Sequence, residues 1–119
     1  MQTTYINTTT TSTTPATVLN SDGRSIVIRK IVIGNPVNSG NITVFSENNA
    51  LSNNTTQILS KISLPGTVNT LVPVVIDFRT ASGAGGGSTE DDGLFCQTGG
   101  SIAIDQTMQV SVLWDYAEG

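Results

Sequence analysis

MQVSVLWDY, residues 108–116, decides the fold class. Met108, Val110, Val112, Trp114 and Tyr116 share one parity; Gln109, Ser111 and Asp115 share the other, with Leu113 as the exception. A period of two is the mark of a strand with one buried face. The same pattern recurs upstream. Val72, Val74, Ile76 and Phe78 form a second face, with Pro73 and Asp77 opposite. Pro73 cannot donate a ladder hydrogen bond, so that strand starts there or runs at an edge. Ile42 and Val44 alternate with Thr43 and Phe45 in a third strand, Ile102 and Ile104 mark a fourth, and residues 94–96 a fifth.

Residues 25–33, SIVIRKIVI, change parity midway. Ile26 and Ile28 fall on one side, and Val27, Ile31 and Ile33 on the other. Either a β-bulge near Arg29 and Lys30 keeps the apolar groups inward on both sides, or the strand is buried on both faces. Residues 16–20 are a further short strand, closed by Ser21-Asp22-Gly23. Residues 57–64 read as strand or irregular. Asn35-Pro36, Asn38-Ser39-Gly40, Pro65-Gly66 and Gly99-Gly100 supply turns. Short strands separated by frequent turns predict an all-β, single-domain β-sandwich, jelly-roll-like, over residues 16–119. Its expected core is Ile26, Ile28, Val44, Val74, Ile76, Ile104, Val110, Val112 and Trp114.

Residues 1–15, MQTTYINTTTTSTTP, stand apart. β-branched threonine favours an extended backbone, but this stretch has no apolar stripe. Ordering fourteen such residues costs on the order of 15–25 kcal/mol of backbone entropy. The expectation is an extended N-terminal arm held by a neighbouring subunit. Tyr5 and Ile6 would be its apolar anchors, and Thr8, Thr9, Thr10 and Thr11 would complete the interface.

At 119 residues the chain can bury one core without disulfides. Its single cysteine, Cys96, excludes an intrachain bridge and reads as a small core hydrophobe. Charged residues are 12%, about half the usual share, so hydroxyls and amides must keep the surface wet. Net charge is −4 with five scattered cations, which argues against a nucleic-acid partner. No apolar run approaches a membrane span. The N-terminus carries no secretory signal pattern, so synthesis in a cytoplasm and no membrane partner are expected.

The inventory also argues against an enzyme. There is no histidine, hence no Ser-His-Asp or Cys-His arrangement and no imidazole metal site. Nine acids form no recognisable catalytic pair. The glycines at 83 and 85–87 lack the Gly-Lys-Ser/Thr ending of a phosphate loop and read as a surface loop. Glu90-Asp91-Asp92 lacks the alternating ligands of an EF-hand and reads as a solvated turn rather than a calcium site. No catalytic residue, metal site or cofactor is expected. Asn7, Asn41, Asn53 and Asn54 open N-glycosylation triplets, as chance allows in a chain rich in Asn and Thr.

Two stretches carry a resemblance: SIVIRKIVIGNPVNSGNITVFSE (residues 25–47), and LVPVVIDFRT with DDGLFCQTGGSIAIDQTMQVSVLWDY (within residues 71–116). Together they resemble small all-β proteins encoded among tailed-phage structural genes. The loop at residues 81–93 is longer than that pattern implies, and the threonine arm is an addition to it. The resemblance implies a virion component assembled in the host cytoplasm: a capsid decoration (cement) protein, or a small head- or tail-attached module. The major capsid protein or another virion protein would be its partner. A homo-oligomer, with a trimer favoured, is expected. The alternatives are a carbohydrate-binding or adhesin module, in which Trp114 and Tyr116 would stack on sugar, and a head–tail connector component.

Overall fold

The computed structural model describes residues 2–10, 15–47, 58–68, 71–78 and 93–117. They form nine strands: β1 (Gln2–Ile6), β2 (Thr17–Val18), β3 (Ile26–Ile33), β4 (Asn41–Phe45), β5 (Ile58–Ser63), β6 (Val74–Asp77), β7 (Leu94–Cys96), β8 (Ser101–Ile104) and β9 (Val110–Tyr116). All strand pairs are antiparallel. One sheet runs β1-β9-β3-β6, with β7 also on β3; the other runs β2-β8-β4-β5.

The two sheets meet over one apolar core. β3 gives Ile26, Ile28, Ile31 and Ile33, and β9 gives Val110, Val112 and Trp114. The facing sheet gives Ile42, Val44, Ile102 and Ile104. An all-β sandwich-like domain follows directly from the period-two pattern, since each sheet must bury its apolar face against another layer.

The parity change in β3 is resolved by a bulge. The register against β9 slips between Ile28 and Lys30, which returns Ile31 and Ile33 to the core side. The bulge also divides the opposite flank of β3. Ile26 to Ile28 pair with β7, and Lys30 to Ile33 pair with β6. Val27, on the other parity, is fully buried too. It sits beneath the β7 entry, where a Cβ on Gly93 would lie 2.7 Å from its Cγ1 and 2.3 Å from the Ile28 carbonyl oxygen. Both sequence readings of this segment therefore apply, each to its own half.

Several expectations shift. Val74 and Ile76 are half-buried at the sheet margin rather than in the centre, and Val72 is exposed. Residues 58–63, ambiguous in sequence, form the edge strand β5. Phe45 faces away from the main core but is buried with Ala16 and Ala103 in a second small cluster.

The largest difference lies at the N-terminus. Gln2–Ile6, read as an arm reaching a neighbour, is a strand of this chain's own sheet, paired in register with β9 from Gln2↔Trp114 to Ile6↔Val110. The ladder gives the polar segment backbone partners, and the core takes Ile6, 2% exposed. Those two gains offset an ordering entropy that the side chains alone could not.

Candidate functional site

β1 positions the residues that sequence reasoning singled out for an interface, and it divides them. Ile6 points inward and is spent on the core. Thr10 is also spent: its amide donates to the Ile104 carbonyl at 2.8 Å, and its hydroxyl to the same oxygen at 3.2 Å. Thr9 shares a 2.6 Å hydroxyl–hydroxyl bond with Thr107, and the Thr8 hydroxyl donates to Asn7 at 3.4 Å. Thr11 lies outside the described residues. Of the six, Tyr5 alone presents a large side chain outward, 56% exposed. Thr4, which the sequence did not flag, accepts the indole N–H of Trp114 at 2.9 Å.

The outer face of this sheet can be read from the registers. Tyr5, Ser111, Val32 and Val75 lie in one cross-strand row, and Thr3, Leu113, Lys30 and Asp77 in the next. Val75 is more than half exposed. Arg29, at the bulge, holds Asp115 at 3.2 Å.

A second polar arrangement sits where β2 and β3 are joined. The Asp22 carboxylate accepts from the Asn20 amide at 2.7 Å, the Arg24 backbone N–H at 3.1 Å and the Tyr116 hydroxyl at 2.9 Å. Those bonds, the Asn20 one first, hold its pKa below the ordinary value; the bond to Asp22 pushes the Tyr116 hydroxyl above its own. The Arg24 guanidinium lies 4.1 Å from the Tyr116 ring centroid, and Trp114 meets that ring edge-on at 5.2 Å. Asn20 is buried and fully used, donating also to the Arg24 carbonyl and accepting from the Gly100 amide. Only Ser21-Asp22-Gly23 was legible here, as a turn; the Tyr116 partner is 94 residues away.

The sugar-stacking alternative loses one of its two rings. Trp114 is 5% exposed, with its N–H already bonded. Tyr116 remains half-buried, with Arg24 over its ring. Asn41 has its side-chain nitrogen bonded to Asp105 at 2.6 Å, which occupies the atom a glycan would need. Cys96 is buried, and desolvation pushes its thiol up to about 12, the behaviour of a core residue rather than a nucleophile. The acidic turn 90–92, the glycines at 83 and 85–87, and Asn53 and Asn54 lie outside the described residues. Among the described residues, no group of acids and cysteine is arranged to hold a metal, and the surface has no pocket.

No family model matches the chain, and no curated protein or solved structure is similar enough to it to carry an argument.

Proposed function

We propose that this chain is a non-enzymatic structural protein of a virion, a decoration (cement) protein that binds a tailed-phage capsid as an oligomer. The observation that carries the reading is the nesting of the strand pairs. β1 pairs with β9, β2 with β8, β3 with β6 and β4 with β5, and successive pairs alternate between the two sheets. A long hairpin rolled up on itself gives that order, which supports reading the sandwich as a jelly roll with β7 as an added piece beside β3. Jelly rolls include viral capsid domains, lectin domains and cupins. The step from wiring to virion is a fold analogy, supported by a composition rich in neutral hydroxyl and amide side chains with 12% charged residues.

Quantitative mass spectrometry of gradient-purified phage particles, from lysates in which the chain is made, tests this. A shell protein is expected at on the order of a hundred copies per particle, against roughly six or twelve for a connector ring. Absence from the particles refutes the proposal.

The lectin reading is the second one, favoured by the corner in which the exposed Asp22 and Arg24 meet the half-buried Tyr116. A glycan array on the intact protein separates the two. Selective sugar binding that is lost in Tyr116→Ala, with the fold retained, would favour the lectin.

A further inference from the structure

Five strands stand at sheet margins among the described residues: β1, β6 and β7 in one sheet, β2 and β5 in the other. A margin strand presents unpaired backbone groups, and proteins blunt it with brevity, charge or proline. Four of the five are blunted. β2 has two residues and β7 three. β6 follows Pro73 and ends in Asp77. β5 carries Lys61, exposed, near its middle. β1 alone has none of these devices. It is five residues long, QTTYI, without charge, proline or glycine. The first charged residue of the chain is Asp22.

We infer that the free edge of β1 is a docking edge for β1 of a second copy of this chain, the two running antiparallel about a two-fold axis through Thr4. β9 occupies one side of β1, so alternate residues of the strand direct N–H and C=O groups away from the domain. An axis at Thr4 sets Thr3 opposite Tyr5 of the second copy, and Tyr5 opposite its Thr3, on the exposed face. Aromatic–β-branched pairs of this kind favour strand association, and a two-fold contact makes each favourable pair twice. Charge favours the same place. Each copy carries −4 overall, and a strand with no charged side chain, Gln2–Ile6, is an edge at which two like-charged copies meet without setting like-charged side chains of the paired strands against each other. The product is one sheet running β6-β3-β9-β1 and on into the second copy in reverse order. Five residues a side bury far less than the ~800 Å² per partner of a standard stable interface. The contact is therefore weak in solution and becomes effective where copies are held close together. The inference does not depend on the virion reading, because the edge would associate in the purified protein.

Sedimentation equilibrium of the full chain, from about 10 μM to 1 mM, tests it at the concentrations a weak contact requires. The mass is expected to rise with concentration from 12.4 kDa toward twice that value. The double variant Thr3→Lys/Tyr5→Lys sets lysines opposite lysines and should weaken association by about tenfold or more. Thr3→Glu/Tyr5→Lys sets opposite charges across the axis and should associate more tightly than the lysine pair. Both changed side chains lie on the exposed face, and the Trp114 emission of each variant verifies the fold. In the unmodified chain, raising the concentration should slow amide exchange within residues 2–6. A wild-type chain monomeric throughout, equal association of the two variants, or slowing confined to other strands would each overturn the inference.

Discussion

β1 and β9 lie side by side in one sheet, yet they hold their places by different means. β9 is flanked on both sides and buries Val110, Val112 and Trp114. Among the described residues β1 has one neighbouring strand and buries Ile6 alone, with Thr4 serving the Trp114 indole. Both satisfy a backbone ladder, but apolar area scales stability, so the edge strand is the less stable of the two. The comparison teaches that a polar segment can be ordered by the template beside it while contributing little to the core that orders it.

The strongest challenge to that contrast is a truncation on the central seam. Ile28 is fully buried and sits opposite Trp114 on β9. Ile28→Ala should cost about 3–5 kcal/mol in urea unfolding. A cost below about 1 kcal/mol would show that the seam is not the stabilising centre.

Ile6→Ala comes next. At the sheet margin the site can relax, so the expected cost is about 2 kcal/mol. Amides of residues 2–6 should exchange well ahead of those of β9 in the same sample. Equal costs at Ile6 and Ile28, or equal protection of the two strands, would abolish the distinction.

Thr4→Val probes the contact between the two strands. The indole N–H of Trp114 would lose its acceptor in a nearly buried position, at a cost of about 1–2 kcal/mol. Thr4→Ser, which keeps the hydroxyl, should recover most of it. A loss in Thr4→Ser with none in Thr4→Val would mean that the methyl group matters and the bond does not.

The smallest effect is expected at the exposed Asp22. Its pKa is depressed in the folded state by bonds from Asn20, the Arg24 backbone and Tyr116. The stability it lends is therefore present above the ordinary carboxylate range and lost as pH falls through the lowered folded value. Asp22→Asn should lower the neutral plateau of a melting-temperature profile slightly and meet the unmodified profile at low pH, so that the acid limb is flatter. A profile identical to that of the unmodified chain at every pH would mean that the Asp22 carboxylate adds no stability.

Much of the sandwich was legible because strand burial writes itself into a period of two. The alternation at Met108 to Tyr116 located β9, and the parity change at Arg29–Lys30 offered a bulge or a strand buried on both faces, of which the register slip shows the bulge. Proline marked the start of β6. The candidate site was less legible. Tyr5 and Ile6 are adjacent, and residue type gave both the same role, but strand alternation sends one outward and the other into the core. Had the period-two rule been carried through QTTYI, it would have separated them. Nothing local could have paired Asp22 with Tyr116 or Thr10 with Ile104, since those contacts join segments more than ninety residues apart.

The sequence by itself determined that this chain is all-β, where most of its strands run and which face of each is apolar. These are properties of neighbouring residues and of local sterics. Tertiary structure alone decided which strands pair, that Gln2–Ile6 joins its own sheet, and which strands stand at the sheet margins among the described residues. Pairing is a choice among backbone edges that all offer the same hydrogen bonds. Only the closing of one apolar core over the whole chain selects between them.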